Sequence, residues 1–481
     1  MAGPTQLGIP QAPKAAWARH AAVLAALSGI LFWITGDWGG VMWMYRPLPW
    51  LALGLLGAAA AWAVRRAAPW LRLEPPVGWL LLLLPAWVVF QMLPLPAWLV
   101  QALSPARGAV MEALAKVGIR QSLSTLSVQP STTLEYFLLL CGYLIVFLLV
   151  REASGFFRER AWVMPLPLVA VAVWQALLGI NQYFAAHPSE GAHGSYANRN
   201  HFAGLLEMAL PLACVWPLLW DANRCRPEAR AAAKAAGWSA AALLLAGVAY
   251  SLSRMGFLSA LWGLAVMGGL AAWSGLGERW QAVGRRAKWG AAAAVALGAV
   301  TLFFLLPPGL LIGRFAALTS SGEITPDHRL ALLRDTPRLI AAFPLFGCGL
   351  GNFEAAYPKY KRSDPFFTDD YAHNDYLQLT AELGAAGALI LLLLAATVLR
   401  ASWRLALRSE RPAGRWLGAG CCGALGALLL HSLADYNLYI PANAMAAAWI
   451  GGVAAGTAAG METGSSEILV RQSASRRSTS E

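Results

Sequence analysis

The sequence predicts an all-α polytopic membrane protein of about twelve transmembrane helices with one large, partly helical outer loop. Three observations carry that prediction. Of 481 residues, 58% are hydrophobic and only 13% charged, against about 25% charged in soluble domains; the mean hydropathy is +0.52. Apolar runs long enough to cross a bilayer recur along the chain. The longest polar interruption, 308–383, lies between two such runs and gathers His328, Arg329, Arg334, Arg338, a glycine run at Gly347, Gly349 and Gly351, and His373.

The expected spans lie near 21–36, 47–64, 77–101, 135–150, 161–182, 202–220, 238–252, 255–274, 289–307, 384–399, 416–433 and 443–460. The seventh and eighth meet around Ser253-Arg254 with no room for an ordinary loop, so a tight hairpin or a broken helix is expected there. With the N-terminus in the cytoplasm, 24 of the 37 Lys and Arg fall inside and 13 outside, seven of the latter in the long loop. Positive charge accumulates on cytoplasmic loops. The expected topology therefore has both termini in the cytoplasm, in a multi-pass protein of the bacterial inner membrane, and the loop 308–383 in the periplasm. The same clusters account for the net charge of +12 as headgroup-facing patches, with no nucleic acid among the partners and membrane lipids in its place.

Three regions follow: residues 1–189 with about five N-terminal helices and short loops, 190–460 with the remaining spans and the long loop, and a polar, Ser-rich tail, 461–481, expected to be disordered and cytoplasmic. The polar start through His20 reads as the approach to an ordinary first span rather than a cleavable leader. Many of the 22 tryptophans stand near span ends as interfacial anchors. The loop 102–134 is functionally quiet and ends at Gln129-Pro130-Ser131-Thr132-Thr133, a cap-like entry to the fourth span. The six cysteines show neither metal-ligand nor disulfide spacing; no metal and no cofactor are expected.

Chemistry-bearing side chains gather at the outer ends of the spans. At the start of the sixth, Asn198-Arg199-Asn200-His201-Phe202-Ala203-Gly204 combines turn and helix-start residues with Arg199, which favours an anionic partner or snorkels to the interface. Arg254 stands between two closely coupled spans, where an ionisable residue is a functional candidate; an ion pair with Glu382 or Asp435 is the structural alternative. Residues from 326 through Pro337 and Ile340 read as a helix carrying Arg329, Arg334 and Arg338, and a planar guanidinium suits phosphate oxygens. Where the loop re-enters the membrane, Ala372-His373-Asn374-Asp375-Tyr376 is followed by Glu382. His373 is the side chain best suited to accept a proton near neutral pH. His431 and Asp435, four residues apart at the end of the eleventh span, could hydrogen-bond, as a brace or as part of a site. The glycine run reads as a tight loop, since no βαβ pattern surrounds it.

Together these residues resemble the O-antigen ligase/polymerase family of polytopic inner-membrane glycosyltransferases. The resemblance covers about 190–440 and rests on Asn198 through Gly204, Ser253-Arg254, and the loop from His328-Arg329 through Pro344-Leu345-Phe346-Gly347-Cys348-Gly349-Leu350-Gly351-Asn352-Phe353 to Ala372-His373-Asn374. The family often has an aromatic where this chain has Leu333. The resemblance implies transfer of a glycan from a polyprenyl-diphosphate carrier to an acceptor hydroxyl on the outer face, with Arg254 and Arg329 at the diphosphate and His373 acting on the hydroxyl. Arg334 and Arg199 are further diphosphate candidates; Asn198, Asn200, Asn374, Asp375, Glu382, His431 and Asp435 are candidate supporting residues. Chemically this is a direct, inverting displacement that needs no metal if guanidinium groups neutralise the leaving group. The acceptor stays open: lipid A–core for a ligase, a growing glycan for a polymerase, a protein hydroxyl for an oligosaccharyltransferase. A polysaccharide transporter or flippase is the alternative class, and it would place ionisable residues near mid-bilayer.

Overall fold

The computed structural model describes residues 14–42, 47–65, 77–185, 191–220, 226–274, 326–363 and 368–478. Among these the chain is almost wholly helical, and eight helices are long and apolar enough to cross a membrane. They include α1 (Lys14–Gly36), α6 (Pro130–Phe156), α7 (Leu166–Ala185, with the 3-10 turn before it), α8 (Arg199–Val215), α9 (Pro227–Tyr250) and α10 (Arg254–Trp273). The C-terminal two are α13 (Asp375–Arg408) and α14 (Pro412–His431).

Of the other four expected spans, 289–307 lies outside the described residues. Residues 47–64 form α2 (Pro47–Arg65), and 443–460 lie within α15 (Pro441–Ser478). The expected span 77–101 is shorter than the sequence indicates: it forms α3 (Val77–Met92) and stops there. Pro94 and Pro96 interrupt the apolar run, and proline cannot continue a helix hydrogen-bond ladder. The chain instead forms the two-residue strand β1 (Leu95–Pro96), paired antiparallel with β2 (Leu123–Ser124). Helices α4 (Ala97–Leu103) and α5 (Pro105–Lys116) fill the connection. At the other end, α15 continues as helix into the segment where the polar composition predicts none.

The central core is formed mainly by α1, α6, α7, α8, α9, α14 and α15, with α8 the most enclosed of the eight spans. The seventh and eighth spans do form a tight hairpin. Ser251 to Ser253 make the turn between α9 and α10, with Leu252 in the left-handed conformation at φ +56°.

The described part of the long loop is a small folded cap with its own core. Helix α11 (Pro326–Ala342) spans the expected helical stretch, and Leu332, Leu339 and Phe343 pack with Phe353 and Tyr357 around the short α12 (Phe353–Ala356). The quiet loop 102–134 turns out to hold this cap in place. Val128 N–H donates to Cys348 O at 2.8 Å, and Asn352 Nδ2 donates to Ser127 Oγ and Thr133 Oγ1 at 2.8 and 3.1 Å. Gln91, buried on α3, donates to the carbonyls of Phe346 and Glu382.

Helix α13 is broken at Gly384 (φ +67°, ψ 177°). The loop 344–349 enters that break: Ala385 N–H donates to Pro344 O, and the amides of Cys348 and Gly349 donate to the carbonyls of Ala381 and Glu382. A Cβ on Gly384 would stand 2.3 Å from Leu345 O, and one on Gly347 would stand 2.1 Å from Glu382 O. The glycine run is therefore the tight loop the sequence predicts, and its partner is the interrupted helix. A short helix, 375–383, is thereby set at an offset from the spanning helix below it, with its N-terminus at the site.

The strap, described at 361–363 and 368–372, leads from this cap to His373. Within it Lys361 Nζ pairs with Asp369 Oδ2, both buried, at 2.7 Å. Asp335 on α11 accepts from the amides of Arg362 and Ser363 and the Ser363 hydroxyl, and pairs with Arg338. Burial pushes the Asp335 carboxyl up, but these donors outweigh it and hold the group below the usual carboxylate value. Its contribution to stability is therefore complete above the usual carboxylate range and lost as pH falls through the depressed value. Replacing Asp335 with Asn is expected to cost about 1–3 kcal/mol. Faster proteolytic nicking of the strap, with a lowered melting temperature, is the measurement; unchanged protection would remove Asp335 as its anchor.

Candidate active site

Three helix N-termini meet beside the cap, each closed by a side chain. Asn198 caps α8 by accepting from Asn200 N–H at 2.8 Å, Ser253 caps α10 by accepting from Gly256 N–H at 3.1 Å, and Asn374 caps α13 by accepting from Leu377 N–H at 3.0 Å. Short side-chain acceptors satisfy the free amides of a first helical turn. This explains Asn198 and Asn374 locally; Asn374 also donates to Leu433 O, tying α13 to the segment after α14. Asn200 lies half-buried in the first turn of α8. The first turns of α8 and α10 touch, with Gly256 against Ala203.

The centre of the cluster is Asp435, in the turn after α14 and 1% exposed. Its Oδ1 lies 3.3 Å from His201 Nε2 of α8 and 3.6 Å from His373 Nδ1. Its Oδ2 lies 3.9 Å from His431 Nε2. The expected His431–Asp435 hydrogen bond is thus not made at that distance. Helix α14 ends at His431, and its Nδ1 faces both oxygens of Glu207 on α8 at 3.0 Å. Burial pushes the Asp435 carboxyl up, but the three imidazoles, His201 foremost, outweigh it and hold the group well below the usual carboxylate range. Asp435 is therefore a carboxylate at neutral pH.

His373 itself has a left-handed backbone, φ +49°. Non-glycine residues held in that region cost about 1–3 kcal/mol and gather at functional sites. The surroundings fix it there: Asn374 caps the helix that follows, Asp375 N–H donates to the carbonyls of Ser432 and Asp435, and the ring lies edge-on to Tyr436 at 4.8 Å. His201 lies edge-on to Tyr436 at 4.6 Å, and Tyr371 from the strap stacks on it at 4.0 Å. His373 Nδ1 faces Asp435 across 3.6 Å without a hydrogen bond; the facing anion favours the tautomer with its proton on Nδ1 and the lone pair on Nε2.

The arginines divide. Arg329 reaches the same turn, Nη1 donating to Ala434 O at 3.3 Å. Arg254 is exposed at the first position of α10. Arg199, half-buried at the start of α8, lies beside Gly191 and the Ser251 carbonyl, so it stands next to the turn that leads to Arg254. Arg334 is exposed on α11, and among the described residues no hydrogen bond or ion pair joins it to the cluster. Neither acidic residue suggested as a structural partner for Arg254 is idle. Glu382, fully buried, accepts from the amides of Gly351 and Phe353, the Tyr439 hydroxyl and Gln378 Nε2, so it holds the glycine run. Asp375 accepts from Ser432 Oγ at 2.7 Å and Leu438 N–H at 3.3 Å, and so fixes the two segments that carry His373 and Asp435.

Beneath the cluster an apolar cavity of about 660 Å³ runs between α3, α6, α13, α14 and α15. Leucines and alanines line most of it; Tyr136, Asp375, Ser432 and Tyr439 form its polar end. Glu207, like His201, went unassigned in the sequence reading. A lone carboxylate in the apolar run from Phe202 to Leu219 was the signal that could have found it.

Such a bundle, with imidazoles, arginines and helix N-termini collected at one end above an apolar cavity, defines a polytopic membrane protein built to handle a polar group attached to an apolar one. Residues 239–392, about a third of the chain, match the family model described as O-antigen ligase, which supports the resemblance to the O-antigen ligase/polymerase family of membrane glycosyltransferases. No curated protein matches the chain. The matched segment holds Arg254, Arg329 and His373; Arg199, His201, Glu207, His431 and Asp435 lie outside it.

Proposed function

We propose that the chain is an inner-membrane glycan ligase. It transfers a polysaccharide or oligosaccharide from a polyprenyl-diphosphate carrier to an acceptor hydroxyl at the periplasmic face, by inverting displacement without metal. The observation that carries the reading is the His373–Asp435 pair, with Arg329 on the carbonyl next to Asp435. An imidazole held by a buried carboxylate is suited to take a proton. His373 Nε2 removes the acceptor proton while the acceptor oxygen attacks the anomeric carbon. The bond from that carbon to the diphosphate oxygen breaks, and its electron pair leaves with the diphosphate. Arg254 and Arg329 carry the charge that develops there, with Arg199 as a third cation and Arg334 as an outlying one. The N-termini of α8, α10 and α13 add partial positive charge. The cavity below the site fits a polyprenyl tail by chemistry, apolar along its walls and polar where the diphosphate would sit.

The test is transfer by the purified protein, in lipid, from a polyprenyl-diphosphate-linked glycan to lipid A–core, to a glycan chain or to a protein hydroxyl. Release of polyprenyl diphosphate coupled to an inverted product on lipid A–core, undiminished by chelator, is the expected result. Coupling to a glycan chain would make it a polymerase, and coupling to protein an oligosaccharyltransferase. Movement of the donor across the bilayer with no bond broken would make it a transporter. In the same assay Arg254→Lys and Arg329→Lys are each expected to lose about tenfold or more, because a point charge does not reproduce the two-pronged guanidinium donor. Wild-type rates in both would remove the arginines from the diphosphate.

A further inference from the structure

Behind Asp435 the bundle holds a second acid–imidazole pair. Glu207 and His431 are both 0% exposed, and His431 Nδ1 is 3.0 Å from each Glu207 oxygen. The other face of the same ring points at Asp435. His431 Nε2 and Asp435 Oδ2 are buried, 3.9 Å apart, and neither has a hydrogen-bond partner among the described residues. His431 therefore touches Glu207 through a hydrogen bond and Asp435 through charge alone. Asp435 in turn shares its carboxylate between His201 and His373. The row Glu207, His431, Asp435, His373 crosses from the third turn of α8 to the start of α13, and its inner half is fully buried.

We propose that Glu207 is a positioning residue for the transfer: through His431 it fixes the charge that faces Asp435, and through Asp435 it sets how readily His373 takes the acceptor proton. The inference rests on His373 being the base. The proton exchanged in the reaction stays between the acceptor oxygen and His373 Nε2; Glu207, His431 and Asp435 exchange none. Glu207 on one side and Asp435 on the other give His431 two acidic neighbours, an arrangement that favours a proton on the ring between them. Without Glu207 the buried ring is less able to hold that proton, and less positive charge faces Asp435. The negative charge of Asp435 then acts on His373 with less to offset it, which favours the protonated ring there. The other polar groups around this row are Arg329 from α11, Asp370 and Tyr371 from the strap, Asp375 from α13, and Tyr436. Neither variant used in the test alters them.

The test is the pH–rate profile of glycan transfer by the full-length protein in lipid, for wild type, Glu207→Gln and His431→Gln, with His373→Ala alongside. Both Gln variants lower the positive charge that can face Asp435, one by way of its partner and one directly. Each is expected to move the acid limb of the profile to higher pH by about half a unit or more. A purely structural brace would lower the rate and the melting temperature and leave the limb in place. An unmoved limb, or one moved to lower pH, in whichever variants fold overturns the inference. His373→Ala separates the two readings. If it keeps the wild-type rate and limb, the base assignment itself fails, whereas a limb that depends on His373 and ignores Glu207 removes only the role of Glu207.

Discussion

His373→Ala is expected to lower glycan transfer by about 10²–10⁴-fold, the usual contribution of a positioned general base, with normal membrane insertion. The size follows from the geometry: the imidazole is fixed by a strained backbone, an edge contact to Tyr436 and a buried carboxylate at 3.6 Å. Alanine at φ +49° carries its own backbone cost, so His373→Asn is the better control for folding, since Asn tolerates the left-handed region. Both variants should melt near the wild-type temperature and bind the lipid-linked donor, because the arginines are untouched. Transfer at the wild-type rate by either would remove His373 from the chemistry.

Asp435→Asn is expected to lower transfer by about 10²–10⁴-fold as well, although Asp435 touches no substrate. An amide can present its N–H to His373 Nδ1, which turns the ring to the wrong tautomer and leaves Nε2 protonated. The change also removes the single anion shared by three imidazoles. The carboxyl of Asp435 is held well below the usual range. Its stabilising effect is therefore complete above the usual carboxylate range and lost only as pH falls through the depressed value. Two consequences can be measured together. At neutral pH the variant should be less stable by about 1–3 kcal/mol. The acid limb of its residual activity should move to lower pH, opposite to the shift expected for Glu207→Gln, because His373 has lost the anion that favours its protonated form. A wild-type rate in Asp435→Asn would leave His373 without its orienting partner and return the brace reading.

Much of this protein could be read from its residues. The expected helix through Pro337 and Ile340 is α11, the Ser253-Arg254 step is a hairpin, and the apolar runs within the described residues lie on helices, apart from the break in 77–101 after Met92. Arg254 stands in a local pattern at a span end, His373 where the loop re-enters the membrane, and Arg329 on a helix legible within the loop. The supporting residues were recognised as candidates, but their partners were not. Glu382 holds the glycine run, and His431 turns to Glu207 rather than closing on Asp435. Periodicity and spacing report what a residue can meet within a turn or two of its own helix. The pairs that build this site join residues hundreds of positions apart, as His201 with Asp435 and Gln91 with Glu382 do.

The sequence by itself determined that this is a helical membrane protein, because bilayer thickness and the absence of water in it dictate long apolar helices whatever their order in space. It also marked which side chains are costly enough in that setting to need a reason. Only the tertiary structure decided that Asp435 is the shared anion, that Glu207 stands behind it, and that the break at Gly384 receives the glycine loop. A buried charge is tolerated where its partners happen to converge, and convergence belongs to the packing of α8, α13 and α14 rather than to any one of them.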